Sequence, residues 1–272
     1  MTDFFRAEEA AELIAVPDEG DDKYSRGVLG VMTGSAQYPG AAVLGVEAAL
    51  RTGVGMVRYV GPESAKQLVL ARRPEAVSGR GRVQAWLVGS GMDAESRTGD
   101  ETALLRDALR EDLPAVIDAG ALDLVGDAAG PVVITPHYGE LARLLGAERA
   151  DIAADPARFA SRAAEQLGVT VLLKGFVTHV AGDGVLLKAR SATPWLATAG
   201  SGDALGGVLG ALLATHSDQI LADRAVLPRL AAAAAVIHGI AGDRASNGGP
   251  VTVLDLAAAL PATIAHLLGT RA

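Results

Sequence analysis

The chain has 272 residues, of which 50% are hydrophobic and only 4% aromatic, and its formal net charge is −8. This length and apolar content predict one large domain or two small ones with a sizeable core, and the acidic balance disfavours a general nucleic-acid-binding protein. The lack of cysteine excludes disulfides, thiolate catalysis and zinc–sulfur sites.

The sequence also predicts a soluble, cytoplasmic protein. Residues 1–27 lack the basic segment and apolar core of a secretory signal. The alanine-rich stretch 230–242 is interrupted by His238 and two glycines, so no uninterrupted apolar run approaches the roughly 18 residues of a membrane span. We therefore expect neither a leader nor a membrane partner.

Short β-branched runs alternate with alanine- and leucine-rich segments from residue 27 onward. Strands are predicted at 27–32, 55–60, 83–89, 114–120, 131–137 and 169–175, and helices at 40–53, 139–146 and 156–168. Such alternation is typical of parallel βαβ units with helices on both faces. No linker rich in Pro, Ser or charge divides the sequence, which predicts one domain over 1–272 with an N-terminal extension at 1–22.

The pattern changes after residue 175. Residues 176–189 hold two β runs around Gly182, Asp183 and Gly184, which predicts a hairpin that extends the sheet in antiparallel fashion. Helices are then predicted at 202–215, 224–242 and 253–268. The expected fold class is α/β, with three layers (α/β/α) around a central, mostly parallel sheet and a late antiparallel hairpin.

The loops after the predicted strands carry the functional signal. Ligands of open parallel sheets bind beyond the carboxyl ends of the strands. Six such loops hold small or polar residues, namely TGSAQYPG, GSGM, DAGAL, TPHYGE, KGFVT and ATAGSGD. Their convergence at one edge predicts a single binding site.

The last of these loops places Asp203 behind the glycine-rich AGSG, where an apolar helix begins. Unpaired amides and the positive end of the helix dipole bind anions there, and the acid suits a base for a hydroxyl that attacks phosphorus. The alternative is a first-turn acid favoured only by the dipole, with Ser201 as N-cap. Gly206 and Gly207 favour the functional interpretation, because glycine inside a helix costs about 1 kcal/mol.

The residues also resemble a known family. TAGSGDALGG resembles the G-x-G-D signature of the ribokinase-like superfamily. The order of six motifs is that of ADP-dependent NAD(P)H-hydrate dehydratases; they are KYSRGVLGVMTGSAQYPGAAVLGVEAALRTGVGMV, VGSGM, VIDAGAL, VITPHYGELARLLG, VLLKGFVTHVAGDG and ATAGSGDALGGVLGALLA. The resemblance covers nearly the whole chain from Lys23. The chain has no room for the epimerase domain of bifunctional relatives, so it is similar to the stand-alone form.

The resemblance implies a ribokinase-like fold and repair of NADH or NADPH that is hydrated at C6 of the nicotinamide ring (the S forms of NADHX and NADPHX). In that family, ADP phosphorylates the C6 hydroxyl and leaves as AMP. Phosphate then departs, and the dihydropyridine is restored. The implied phosphoryl donor is ADP, the implied metal is magnesium, and the implied assembly is a homotetramer.

The resemblance also implies roles for individual residues. Asp203 is the expected base, and the amides of Ser201, Gly202 and Asp203 form the expected anion hole, with Gly202 also touching AMP. The adenosine-nucleotide loop is expected at Lys174, Gly175, Phe176, Val177 and Thr178. The hydrated dinucleotide is expected to contact Ala42, Gly91, His137 and Asp203.

Three further residues have less direct assignments. Lys23 aligns with a lysine for which we predict a phosphate role, and Glu140 is expected to help place magnesium through water. Asp118 is interpreted as a buried structural acid, with assistance to magnesium as its alternative. A structural interpretation stays open for each nucleotide or substrate residue as well: a solvated Lys174, a turn at Gly91, or a dipole partner at Glu140.

The sequence departs from the family pattern at four places. Ala199 replaces the first glycine of GGSGD, Gly120 replaces the second acid of DADAL, and GSGMD lacks the final glycine of GPGLG. TGS stands where the family has GGS. The change at Gly120 removes a carboxylate from the expected metal site, whereas Asp203 is intact.

Three other functions compete with the dehydratase. The main alternative is an ATP-dependent kinase of a vitamin or sugar alcohol with the same fold. A nucleotide-binding regulator without chemistry is disfavoured by Asp203. An NAD(P)H oxidoreductase is disfavoured, because an early G-x-G-x-x-G is missing from the sequence. The missing G-x-x-x-x-G-K-[ST] also shows that the phosphate site is not a P-loop.

Overall fold

The computed structural model describes residues 4–190 and 192–271. Nine strands of the described chain form one sheet. They are β1 (Val28–Met32), β2 (Met56–Tyr59), β3 (Val77–Ser78), β4 (Ala85–Val88), β5 (Ala115–Ile117), β6 (Val132–Ile134), β7 (Thr170–Leu173), β8 (Val177–Gly182) and β9 (Val185–Arg190). Their order is β3-β2-β1-β4-β5-β6-β7-β8-β9. The pairs up to β7 are parallel, and the β8–β9 hairpin is antiparallel.

Helices cover both faces of the sheet. They are α1 (Ala7–Glu12), α2 (Gly40–Thr52), α3 (Glu63–Arg72), α4 (Gly99–Leu109), α5 (Tyr138–Leu145), α6 (Arg149–Ala154), α7 (Pro156–Leu167), α8 (Ser201–Thr215), α9 (Ser217–Ala222), α10 (Leu227–Ser246) and α11 (Val253–Leu268), with 3₁₀ turns at Ala119–Asp127, Pro194–Leu196 and Arg224–Val226. One apolar core lies under α2, α8, α10 and α11, and the other under α4, α5 and α7. The predicted three-layer fold, including the late hairpin, is confirmed.

The sequence patterns predict no element over 61–82 or 90–113, where the structure forms α3, β3 and α4. α3 has only two fully buried side chains, so its apolar pattern is weak. α4 has a clear start signal instead, because Thr98 and Glu101 form a reciprocal capping box. The N-terminus of α4 was therefore detectable, whereas α3 depends on tertiary packing.

Helices α2 and α8 pack closely through their glycines. A Cβ on Gly207 would lie 2.2 Å from the Gly45 carbonyl oxygen, and one on Gly210 would lie 2.9 Å from a Leu29 methyl carbon. A Cβ on Gly206 would lie 3.2 Å from a Leu87 methyl carbon. Gly206 and Gly207 therefore give no support to an anion site, because close packing on Leu87 of β4 and on Gly45 of α2 accounts for them.

Residues 4–14 belong to the packed body of the described chain, although they fall in the predicted extension. Phe5, Ala10 and Ala11 are buried in the core under α10. The helical segment Arg224–Ser246 is long enough to span a membrane, and an 18-residue stretch of it has a mean hydropathy of 1.5. However, 83% of that stretch is buried inside the protein. Such burial is what a core helix of a globular domain shows.

Candidate active site

The alternating sides of the strands bring polar residues together at the carboxyl edge of the sheet. Val116 of β5, Val133 of β6 and Leu172 of β7 all face the core under α8. The side-chain period of a strand is two residues. The residues two positions later, Asp118, Thr135 and Lys174, therefore return to the same face just beyond the strands.

Asp118 is the centre of this cluster. Its side chain is 3% exposed and accepts hydrogen bonds from Lys174 Nζ at 2.8 Å, from Thr135 Oγ1 at 2.7 Å and from Ser90 Oγ at 2.9 Å. The Glu140 carboxylate lies 3.9 Å from the same ammonium group. One lysine therefore lies between two carboxylates, and the more buried carboxylate is fully hydrogen-bonded.

Burial and charge set the protonation of these groups. Burial would raise the pKa of Asp118, but the Lys174 ammonium and the two hydroxyl donors hold it below its usual value. Burial would lower the pKa of Lys174, but Asp118, Glu140 and Asp203 raise it. The structure therefore keeps an ionised pair at this edge of the sheet.

Asp203 lies in the first turn of α8, beside the pair. Burial raises its pKa to about 6, Asp118 adds to the rise, and Lys174 opposes it. Helix α8 begins after Gly200, which has a left-handed φ of 89° and is the N-cap without a side-chain hydrogen bond. The alternative with Ser201 as N-cap is therefore wrong. A carboxylate with a pKa near neutrality is suited to act as a general base.

The amides at the start of α8 differ from one another. The Ser201 amide donates to the Thr198 carbonyl at 3.4 Å, so the amides of Gly202 and Asp203 are the clearer donors for an anion. Gly202 is open toward the lysine, since a Cβ there would lie 3.5 Å from Lys174 Nζ. An anion at this position would meet main-chain N–H groups on one side and an ammonium on the other.

A cavity of about 590 Å³ opens beside this helix start. The predicted site residues that line it are His137, Lys174, Gly175, Phe176, Thr178, Ser201 and Gly202. Pro194, Leu196 and Leu205 give it an apolar wall. Its volume lies in the usual range for small-molecule sites. A second cavity of about 400 Å³ lies at the opposite edge of the sheet, near the hairpin turn, and contains none of the predicted residues.

The side chain of Val177 lies on the opposite face of β8 from that of Thr178, because successive side chains of a strand alternate. Thr178 and Val180 face α8, whereas Val177 and Ala181 face the other side of β8. Phe176 is 60% exposed at the cavity mouth. Any nucleotide contact by Val177 is therefore limited to its backbone.

Ala42 and Gly91 meet at a different place, the N-terminus of α2. A Cβ on Gly91 would lie 2.3 Å from Ala41 Cβ, and one on Gly34 would lie 3.0 Å from Ala42 Cβ. Ala42 is fully buried, so neither its side chain nor its backbone reaches a surface. A Cβ on Gly200 would lie 2.4 Å from Leu44 of α2 and 3.8 Å from Asp203 Oδ2. The Asp203 carboxylate therefore lies near α2, and it does not line the cavity, although its neighbours Ser201 and Gly202 do.

His137 and Glu140 cap α5 reciprocally. The His137 amide donates to Glu140 Oε2 at 2.7 Å, and the Glu140 amide donates to His137 Nδ1 at 3.0 Å. Because Nδ1 accepts this bond, the His137 ring donates from Nε2, which lies 3.6 Å from Glu140 Oε1. Within 4–190 and 192–271, no group of three or more His, Asp or Glu side chains is arranged to hold a metal. The residues present therefore do not fit a metal held by the protein alone, and water-mediated contact at Glu140 stays a prediction.

Two sequence expectations change with the structure. Lys23 contacts Gly55, which precedes β2, so it lies at the amino edge of the sheet and its predicted phosphate role is wrong. A Cβ on Gly120 would lie 2.3 Å from the Met92 carbonyl oxygen and 2.7 Å from the Asp93 amide nitrogen. No side chain fits at position 120, because the main chain of Met92 and Asp93 occupies the space that a Cβ would need.

Sequence reasoning missed three residues of the site. Ser90 and Thr135 hold Asp118, and His238 of α10 lines the cavity with its Nε2 3.0 Å from the Ser201 carbonyl oxygen. Burial lowers the pKa of His238 to about 4, so it is neutral near pH 7. Thr135 was detectable from strand alternation, and His238 from its place in an apolar helix.

Comparisons with known proteins point to one family. A family model described as NAD(P)H-hydrate dehydratase matches residues 29–262. The chain is 34% identical over 231 residues to the ADP-dependent (S)-NAD(P)H-hydrate dehydratase of Xanthomonas campestris pv. campestris, which covers 76% of this chain and 79% of that protein.

The chain is also similar to longer proteins and to a solved structure. It is 45% identical over 224 residues to the bifunctional NAD(P)H-hydrate repair enzyme Nnr of Mycobacterium tuberculosis H37Rv, across 78% of this chain and 46% of that protein. The chain thus spans about half the length of such curated relatives. The ADP/ATP-dependent NAD(P)H-hydrate dehydratase of Bacillus subtilis, co-crystallized with ATP/Mg²⁺, superimposes with a TM-score of 0.85 at 26% identity and covers 98% of this chain and 99% of its own.

Proposed function

Since the chain belongs to the NAD(P)H-hydrate dehydratase family, we propose that it restores NADH and NADPH from their S-form C6 hydrates with ADP as phosphoryl donor. The observation that carries the proposal is Asp203, a carboxylate with its pKa raised to about 6 that lies beside uncapped helix amides and the Lys174 ammonium. The name of the Xanthomonas relative supports ADP as the nucleotide, and that of the Bacillus relative includes both ADP and ATP.

The nucleotide binds in the cavity of about 590 Å³. Its phosphates lie between Lys174 and the amides of Gly202 and Asp203, because these are the cation and the free donors at one end of the cavity. The base packs on the apolar wall formed by Pro194, Leu196 and Leu205. Gly175, Phe176 and Thr178 line the same cavity.

The hydrated ring binds on the other side of Asp203, toward the N-terminus of α2. Support for this placement comes from the Asp203 carboxylate, which is near Gly200 and Leu44 of α2. Gly91 is partly exposed at this place, whereas Ala42 is buried, so a contact between Ala42 and the ring requires a local rearrangement. In this arrangement Asp203 accepts the proton from beside the hydroxyl while the hydroxyl oxygen faces the terminal phosphorus, opposite the leaving AMP oxygen, which is the order that an in-line transfer requires.

The chemistry is a phosphoryl transfer followed by an elimination. Asp203 accepts the proton of the C6 hydroxyl as its oxygen bonds to the terminal phosphorus of ADP, and the bond to the AMP oxygen breaks. The ring nitrogen lone pair then expels phosphate from C6, and loss of a proton from the adjacent C5 restores the dihydropyridine. The amides and Lys174 stabilise the charge on the transferring group.

Magnesium is proposed as a companion of the nucleotide phosphates, with Glu140 in contact through water. Support comes from the chemistry of phosphates, which bind Mg²⁺ that keeps several waters, and from the Bacillus relative, which was co-crystallized with ATP/Mg²⁺. We also propose a single domain over 1–272, and a cytoplasmic homotetramer that acts on small molecules without nucleic-acid or membrane partners. Light scattering of the full chain measures the assembly, and a monomer would contradict it.

The proposal is tested by incubating hydrated NADH and hydrated NADPH separately with the protein, Mg²⁺ and either ADP or ATP. We expect the near-ultraviolet absorbance of the reduced nicotinamide to return, with one AMP and one phosphate formed per ring when ADP is the donor. Asp203→Asn is the matched control. Failure of all four combinations would refute the proposal, and ATP-dependent phosphorylation of a vitamin alcohol would support the kinase instead.

A further inference from the structure

The inference concerns a residue behind the nucleotide site, and it rests on the proposed function. Asp118 does not line the cavity, and its side chain is 3% exposed. It therefore cannot touch a nucleotide. Yet its carboxylate holds the Lys174 ammonium, which does line the cavity, at 2.8 Å.

We propose that Asp118 is a positioning residue, which with Ser90 and Thr135 holds the Lys174 ammonium beside the α8 amides so that it binds the phosphate chain of the nucleotide. Both carboxylate oxygens of Asp118 are used: Ser90 Oγ donates to Oδ2, while Thr135 Oγ1 and Lys174 Nζ donate to Oδ1. Because the hydroxyls come from the loops after the flanking strands β4 and β6, the carboxylate is fixed from both sides.

The position of the ammonium is specific. It lies 3.9 Å from Glu140 Oε2 and 3.5 Å from the place where a Cβ of Gly202 would lie. An ammonium has three donors, so the bond to Asp118 leaves two that are directed away from that carboxylate. Residue 202 has no side chain, and a Cβ there would be in ordinary van der Waals contact with the ammonium.

Fixing the lysine in advance favours nucleotide binding. A free lysine side chain has many rotamers, and ordering it on ligand binding opposes association. The Lys174 backbone is already fixed, because its amide donates to the Pro136 carbonyl at 2.8 Å. With the ammonium held by Asp118, both ends of this side chain are ordered before the nucleotide arrives.

A double-mutant cycle on nucleotide affinity tests the coupling. Calorimetry of the full chain measures ADP and adenosine binding for wild type, Asp118→Asn, Lys174→Gln and the double variant. We expect each single change to weaken ADP binding by about tenfold or more, and the double variant to be within about twofold of Lys174→Gln. Adenosine affinity should change by less than about twofold, because adenosine has no phosphate.

Asp127→Asn is the matched control. It removes an ion-paired carboxylate, 3.0 Å from Arg106, at the other end of the same 3₁₀ segment, and should leave ADP binding unchanged. Thr135→Val keeps the charge pair and the side-chain volume. It should weaken ADP binding by about two- to fivefold in wild type but not beside Lys174→Gln. This variant decides the question if Asp118→Asn does not fold.

The inference is overturned if Asp118→Asn binds ADP as wild type does, if its effect multiplies with that of Lys174→Gln, or if adenosine binding falls equally. A general loosening of the site would give the last result. If the wild type shows the coupling but restores no reduced nicotinamide, the proposed function fails and the inference stands. If the wild type does not bind ADP, both fail.

Discussion

Replacement of Asp203 by Asn should stabilise the protein while it abolishes turnover. Burial, with a smaller contribution from Asp118, raises the pKa of Asp203 from 3.8 to about 6. One pKa unit corresponds to about 1.4 kcal/mol, so the ionised carboxylate destabilises the fold by up to about 3 kcal/mol. Asparagine has nearly the same shape without the charge. Turnover should fall by about 10²–10⁴-fold, because the general base is lost.

The pH dependence of the unfolding free energy shows whether the ionised Asp203 carboxylate causes the destabilisation. A carboxyl group with a raised pKa favours the folded state only while it is protonated. The penalty is therefore absent below pH 3.8, grows between there and about pH 6, and is complete above that value. The stability gain of the Asn variant should follow the same curve.

Urea denaturation across this pH range measures the gain, and nucleotide-dependent recovery of NADH measures turnover. The matched control is Asp127→Asn, which breaks a partly exposed ion pair with Arg106 and should cost less than about 1 kcal/mol. The reasoning is refuted if Asp203→Asn is less stable than wild type at pH 7, if its gain does not vary with pH, or if it retains normal turnover.

Three further outcomes follow from the structure. Turnover should decline about tenfold between pH 7 and pH 5, because Asp203 must be ionised to act as a base and its pKa is about 6; a flat pH–rate profile would contradict this. Gly207→Ala should lower the unfolding free energy by about 1–3 kcal/mol, since its Cβ would lie 2.2 Å from the Gly45 carbonyl oxygen. The control is Gly99→Ala, whose Cβ would have no neighbour within 4 Å, and it should be neutral in the same urea titration. Glu47→Gln should cost about 3 kcal/mol in that titration, because Glu47 is fully buried among three arginine side chains. Burial alone would raise the pKa of Glu47, but the arginines lower it to about 2, so this stabilisation is present above about pH 4.5 and is lost as the pH falls toward 2.

The rule that ligands bind beyond the carboxyl ends of parallel strands explains how much of the site could be predicted from the sequence. It correctly brought the loops that hold Asp118, His137, Lys174 and Asp203 to one edge, because parallel strands end together. The same rule places Lys23 at the opposite edge, because this residue precedes the first predicted strand, and it therefore argues against a phosphate role for Lys23.

Side-chain partners were harder to predict than loop positions. Asp118 and Lys174 are 56 residues apart in sequence, and only the strand order β5-β6-β7 brings them together. The glycines of α8 show the opposite difficulty, because a glycine needed for helix packing, such as Gly207, looks the same in sequence as one that opens a cavity, such as Gly202. The distinction requires the neighbouring atoms.

The most direct test of the central claim follows the oxygen of the C6 hydroxyl group. Hydrated NADH that carries a heavy oxygen isotope at C6 is incubated with the protein, ADP and Mg²⁺, and the released phosphate is analysed by mass spectrometry. If the hydroxyl attacks phosphorus beside Asp203, each phosphate molecule will contain one labelled oxygen atom. Unlabelled phosphate with the isotope in water would contradict phosphoryl transfer at this site.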